Sequence, residues 1–216
     1  MLIAKIISVQ INFYGVYSGM VSVVILAHNK AAYTDVCLRS ILETDTPDFE
    51  LVVMNNGSSD RTAELLEELS QKFAAKGVSC KTLTSSECLG TSTARNQCVA
   101  EAAGDEVVFL DNDTVIPDAA WLEKLKRLLD SDPGIAIVGP KLCYPFEPHP
   151  IQCAGVGISR TGRVLFRGRG EPKDDPRFSK VEEVQTLTSA CFMFRRSLYD
   201  EIGGLDEVFN PKLREM

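Results

Sequence analysis

Two carboxylates one residue apart, Asp111 and Asp113, end the apolar run 107–110 in the stretch GDEVVFLDNDTVIPD (104–118). Such a run belongs to a buried strand. Like charges at its end repel, and burying either without a partner costs several kcal/mol. A cation would compensate. Asp-X-Asp offers hard oxygen ligands to Mg²⁺ or Mn²⁺. Mg²⁺ typically takes one or two protein carboxylates and completes its shell with water and phosphates. A departing diphosphate needs its charge neutralised in the same way. The pair therefore makes chemical sense if its cation arrives with a diphosphate. A bare Asp-X-Asp is more often a turn closure, because Asp is common in turns. Two further polar clusters, Ala27-His28-Asn29 and Asn55-Asn56-Gly57, also follow apolar runs, and they favour a ligand.

The elements that must position these clusters alternate. VSVVILA (21–27), FELVVM (49–54), VSCKTLT (78–84), EVVFL (106–110) and GIAIVGP (134–140) read as strands. Between them lie helical spacings: 31–42 with Val36, Leu38, Ile41 and Leu42, and then a face of Ala63, Leu66, Leu69 and Phe73. The segment 91–103 is entered through Gly90, and 117–130 starts at Pro117 with Trp121, Leu122, Leu125, Leu128 and Leu129 on one stripe. Gly57 is placed to take positive φ, and Ser59 or Asp60 to cap the helix that follows. The alternation predicts an α/β fold with a mostly parallel central sheet and helices on both faces. Ligands of such sheets bind at the carboxyl ends of strands, near a switch in strand order. The three polar clusters all fall at such ends. After Pro140 shorter apolar pieces (151–158, 163–166, 184–194) predict irregular strands on the same core. The expected organisation is an extension over 1–19, poorly ordered or an extra strand, and one domain over 20–216.

Composition narrows the classes. The chain has 216 residues, 44% hydrophobic and 25% charged, ordinary for a globular protein. A formal net charge of −7 gives no general attraction to nucleic acid or anionic lipid. The cluster Arg160, Arg163, Arg167 and Arg169 reads as solvated surface. Seven scattered cysteines without a CxxC pair predict reduced thiols in the cytoplasm, and Cys143, His149 and Cys153 fit no usual zinc spacing. The first nineteen residues are interrupted by Lys5, Gln10 and Asn12 and are too short to span a bilayer, which needs about 20 apolar residues. A weak membrane-surface anchor is the lesser reading of them, and for the chain as a whole a cytoplasmic place, with peripheral contact at the inner membrane face or a protein partner, is expected. A Walker loop, GxGxxG after the first strand and GxSxG are all missing, which sets aside P-loop, dinucleotide-binding and serine-hydrolase chemistry.

The segments VSVVILAHNK, FELVVMNNGSSDRT, LGTSTARNQCVAEAAGDEVVFLDNDTVIP and ACFMFRRSLYDEIGGLDEVFNP occur in an order and spacing that resemble a family 2 glycosyltransferase of the GT-A fold, of the bacterial polysaccharide or rhamnosyltransferase-like kind. The similarity covers about 21–214. It implies a nucleotide-sugar donor, a saccharide or lipid-linked acceptor, Mg²⁺ or Mn²⁺, and transfer with inversion. By the same resemblance Ala27, His28 and Asn29 line the base and ribose pocket. Asn55 stands where an Asp usually contacts the nucleobase, losing the charge but keeping a carbonyl acceptor. Asp111 is the ribose- or diphosphate-side carboxylate, and Asp113 the metal ligand. GGLDE, with Asp206, matches the segment before the family's acceptor-side Glu-Asp pair. Here FNPKLREM follows, so Glu215 is the candidate general base and Met216 takes the second position. The C-terminal part is therefore expected to be incomplete, residues after Gly204 poorly held, and transfer slow although the donor binds. A donor-binding module without efficient turnover is the alternative.

Overall fold

The computed structural model describes residues 4–7, 19–45 and 48–209. In chain order these form β1 (Ala4–Ile7), β2 (Val21–Ala27), α1 (Ala31–Ile41), β3 (Phe49–Asn56), α2 (Thr62–Ala75), β4 (Ser79–Ser85), α3 (Thr91–Glu101), β5 (Glu106–Asp111) and α4 (Trp121–Asp130). There follow β6 (Ile137–Pro140), β7 (Leu142–Cys143), β8 (Ile151–Cys153), β9 (Val156–Ile158), β10 (Val164–Phe166), β11 (Glu182–Val184), β12 (Cys191–Arg195) and α5 (Arg196–Glu201). The chain divides into two compact units, 18–122 with 195–216, and 1–17 with 123–194.

In the first unit four strands pair in parallel in the order β5-β2-β3-β4. The chain steps outward from β2 through β3 to β4, then returns to lay β5 on the other side of β2. Right-handed crossovers put α1 and α2 on one face and α3 on the other. Accordingly α1 packs on α2, and α3 packs on β2 and β3. With both faces covered, inward and outward residues are alike apolar: Val23, Val24 and Ile25 are at most 1% exposed. The reversal of strand order lies between β2 and β5, and in such sheets ligands bind at the carboxyl ends beside it.

Helix faces differ from the sequence reading in detail. Helix α1 buries Ala31, Thr34, Cys37, Leu38 and Ile41, while Val36 is exposed. Helix α2 buries Leu65, Leu66, Leu69 and Phe73, and Ala63 faces out. Helix α4 begins at Trp121, not at Pro117. The Asp118 carboxylate accepts the Ala120 N–H (3.1 Å) and its carbonyl accepts the Trp121 N–H (3.1 Å), so a tight turn delays the helix. The stripe expected on α4, from Trp121 to Leu129, is buried.

At the amino ends of the strands a buried carboxylate is fully engaged. Glu50, 2% exposed, accepts from Ser22 Oγ (2.7 Å) and the Ala103 N–H, and pairs with Lys81 (3.0 Å). Ser22 Oγ in turn accepts the Gly104 N–H (2.9 Å). Burial alone would raise the Glu50 pKa, but these bonds outweigh it and hold the carboxyl below its usual range.

The second unit is mixed. Its sheet runs β11-β1-β6-β12, with β1 parallel to β6 and antiparallel to β11, and β6 antiparallel to β12. Strand β1 thus makes part of the N-terminal extension an extra strand. The pairs β7-β8 and β9-β10 form two separate hairpins, and the piece read as 184–194 is in fact β11 and β12.

Candidate functional site

The carboxyl ends of β2, β3 and β5 bring His28-Asn29, Asn55-Asn56 and Asp111-Asn112-Asp113 to the switch point. Asp111 and Phe109 share one face of β5, the face that α3 covers. From α3 the buried Arg95 guanidinium lies over the Phe109 ring (4.6 Å) and donates to Asp111 Oδ1 (3.0 Å). Phe109 also packs edge-on against Tyr199 (6.0 Å). Burial raises the Asp111 pKa; Arg95 pulls it back and Asp113 pushes it further, and the net shift is upward. Burial likewise lowers the Arg95 pKa. For both members of the pair burial outweighs the mutual attraction.

Neither carboxylate closes the following turn. The main chain does so, through Thr114 N–H to Asp111 O (3.1 Å). Asn112 Nδ2 donates to Thr34 Oγ1 (2.8 Å) and the Ile116 N–H to Ser40 Oγ (3.0 Å), so α1 carries the loop after β5. Asp113 is exposed, and its carboxylate has no partner among the described residues. This removes turn closure as the explanation of the Asp-X-Asp. Among the described residues no three His, Cys, Asp or Glu side chains converge to hold a metal. One free carboxylate beside a second, under-compensated one suits a hard cation that brings most of its own ligands.

The other two strand ends are tied to each other. Exposed His28 places Nδ1 2.7 Å from the Asn56 carbonyl, which only accepts, so Nδ1 carries the proton. Asn29, at φ 54°, accepts from the Ser59 N–H (2.9 Å) and donates its own N–H to Ser58 Oγ (2.9 Å). Asn55 Oδ1 accepts the Ser58 N–H (3.2 Å), and its Nδ2 has no partner among the described residues. The acceptor expected at Asn55 thus already holds one bond and keeps a second lone pair. Ala27 is fully buried and sets the backbone from which His28 and Asn29 project. Gly57 takes φ 74°, and a Cβ there would lie 2.4 Å from the Glu87 carbonyl carbon.

Several residues escaped the sequence reading. The residue at the N-cap of α2 is Arg61, not Ser59 or Asp60, but the Asp60 carboxylate accepts the first N–H of both α2 (Thr62, 3.0 Å) and α1 (Ala31, 2.9 Å). Asn56 accepts the Leu89 N–H (2.8 Å) and fixes the entry to α3. Arg95 had a readable signal: it lies three and four residues before the buried Cys98 and Val99, on the apolar face of α3. Asn96 fastens the GGLDE segment. It donates to Leu205 O (2.9 Å) and Glu207 Oε1 (2.8 Å) and accepts the Leu205 N–H (2.9 Å). The chain just after Gly204 is therefore anchored, contrary to expectation. Hydrogen bonds from Asn96 and Thr93 hold the Glu207 carboxyl below its usual range. Glu215 lies outside the described residues.

Residues 22–203 match the model of glycosyl transferase family 2, and the chain belongs to that family. The O-antigen biosynthesis protein RfbC of Myxococcus xanthus is 31% identical over 78% of this chain. A mannosyltransferase of Pyrobaculum calidifontis, solved with GDP-Man and Mn²⁺, superposes with a TM-score of 0.62 at 21% identity over 88% of the chain. Staphylococcus aureus TarS, solved with UDP-GlcNAc, gives 0.59 at 21% identity over 85%. These likenesses establish the GT-A fold. The chain spans 13% of the length of RfbC and 48% and 47% of the two solved chains.

Proposed function

We propose that the chain transfers a sugar from a nucleoside-diphospho-sugar to a hydroxyl of a saccharide or lipid-linked acceptor, with inversion and with Mg²⁺ or Mn²⁺. The observation that carries this reading is the free Asp113 carboxylate beside the Arg95–Asp111 pair, at the switch point of a GT-A sheet. Asp113, with Asp111 beside it, would hold the cation against the donor's diphosphate. When bound, the cation neutralises the charge that builds on the leaving diphosphate. Arg95 fixes Asp111 for the ribose or diphosphate side. The Asn55 amide and the His28-Asn29 turn line the place for base and ribose.

In the reaction the acceptor oxygen bonds to the anomeric carbon as the bond to the diphosphate breaks on the opposite side. The diphosphate keeps the bonding pair, and the acceptor proton passes to a base, for which Glu215 is the candidate. The names of the relatives support the substrate class: one makes O-antigen, and two were solved with a nucleotide sugar. Seven cysteines outside any disulfide suit the cytoplasm, with burial raising Cys37 and Cys98 to about 12.

The test is to incubate the chain with UDP-GlcNAc and, separately, GDP-Man in Mn²⁺ and to follow nucleoside diphosphate release and donor binding. Release that chelator abolishes supports transfer. Binding without release with every acceptor tried selects a donor-binding module, and failure to bind any nucleotide sugar overturns the reading.

A further inference from the structure

Strands β9 and β10 form a ribbon of their own, with Val164 opposite Ile158 and Phe166 opposite Val156. Its base is pinned. Val156, 8% exposed, exchanges two main-chain bonds with Thr186 (2.9 and 3.1 Å), and the Ile158 N–H donates to Gln185 Oε1 (2.7 Å). The other apolar residues of the ribbon are bare. Ile158, Val164, Leu165 and Phe166 are 49%, 53%, 51% and 37% exposed. Successive strand residues point to opposite faces, so the run 164–166 presents apolar surface on both. A two-stranded ribbon is marginal in water, and contiguous exposed apolar residues rimmed by charge mark an interaction surface.

The charge says what would cover it. Residues 148–170 contain Arg160, Arg163, Arg167 and Arg169 and no Asp or Glu, in a chain of net charge −7. Arg167 is used internally: it pairs with Glu182 and lies over the Phe178 ring (4.8 Å). Arg160, Arg163 and Arg169 have no ion pair among the described residues, and Arg169 lies over the Phe166 ring (4.2 Å). We propose that the β9–β10 ribbon is a docking surface for an anionic lipid bilayer, its exposed apolar strand residues resting in the headgroup boundary and the guanidiniums of Arg160, Arg163 and Arg169 meeting lipid phosphates. Apolar insertion and cation attraction together make an interfacial anchor, where either alone is weak. A second copy of the chain would bring the same cations against themselves. The inference is independent of the donor site and replaces the reading of these arginines as merely solvated. It is also compatible with the absence, among the described residues, of any helix long and apolar enough to cross a membrane.

Co-sedimentation of the full chain with phosphatidylcholine vesicles, with and without phosphatidylglycerol, tests this at low and high salt. Binding is expected only with phosphatidylglycerol and should fall as salt rises. Arg160→Gln, Arg163→Gln and Arg169→Gln should each weaken it about fivefold, and the triple variant about a hundredfold. The triple Lys variant should retain it. Leu165→Trp should gain a blue-shifted emission on anionic vesicles, the chain's own Trp121 being buried. Melting curves establish that each variant folds. Absence of vesicle binding, equal binding to neutral vesicles, or a triple Gln variant that binds like the parent overturns the proposal. So does a dimer in sedimentation velocity that Leu165→Ser dissolves, which would assign the ribbon to a second copy.

Discussion

The two ends of the parallel strands treat a carboxylate in opposite ways. At the amino ends Glu50 is almost wholly buried, yet Ser22, Ala103 and Lys81 supply its oxygens with donors, and its pKa is lowered. At the carboxyl ends Asp111 is less buried, has one guanidinium and a carboxylate neighbour, and its pKa is raised. Asp113 beside it has no partner among the described residues. The fold itself completes the charge balance at one end and leaves it incomplete at the other, where the proposed donor site lies. A buried carboxylate by itself therefore says little; its donors decide which end it serves.

Substitutions should divide along the same line. The largest expected effect is on Asp113→Ala. Metal-dependent diphosphate release should fall about 10²- to 10³-fold, the scale of losing one transition-state charge stabiliser, while the ligand-free melting temperature stays put. A matching loss of stability would blur the two ends. Glu50→Ala should do the converse. It strands the donors of Ser22, Ala103 and Lys81, costing about 3 kcal/mol in urea unfolding, and leaves donor affinity unchanged.

pH sharpens the contrast. The folded Glu50 pKa lies below its unfolded value of about 4.3, so its stabilisation is present above that pH and is lost as pH falls through the folded value. Asp111 has the opposite sign: its raised pKa means that ionisation opposes folding as pH rises past the unfolded value. Acid unfolding should be blunted in Glu50→Gln and not in Asp111→Asn, as read by melting temperature against pH. The smallest effect concerns the mounting of the open end. Thr34→Val removes the Asn112 bond and should cost about 1 kcal/mol while weakening donor binding severalfold. Unchanged donor binding would mean that the loop after β5 is held without it.

How far the sequence shows this depends on the range of each interaction. Strand β2 is read at 21–27 as it stands, because an unbroken β-branched run covered on both faces has one plausible state. The alternation of strands and helices likewise makes the parallel sheet legible, and with it the gathering of 27–29, 55–57 and 111–113. The Glu50 network was not legible, since Ser22, Lys81 and Ala103 meet it only through strand register. Arg95 was overlooked because a charge on an apolar helix face gains meaning only once Phe109 and Asp111 lie beneath it. Pro117 misplaced the start of α4 because the Asp118 turn outranked a favourable first-turn residue. The bond from the Ser58 N–H to the Asn55 carbonyl was hidden for a similar local reason, since it depends on the turn geometry of 55–58.

The central claim is that the carboxyl-end site is completed only by a cation that arrives with a diphosphate. Calorimetric titration of Mn²⁺ into the chain, alone and saturated with UDP or GDP, tests it most directly. The account predicts weak or undetectable Mn²⁺ binding alone, strong binding with at least one of the two nucleotides, and loss of that gain in Asp113→Ala. Mn²⁺ affinity that is the same with and without nucleotide, or that survives Asp113→Ala, would contradict it.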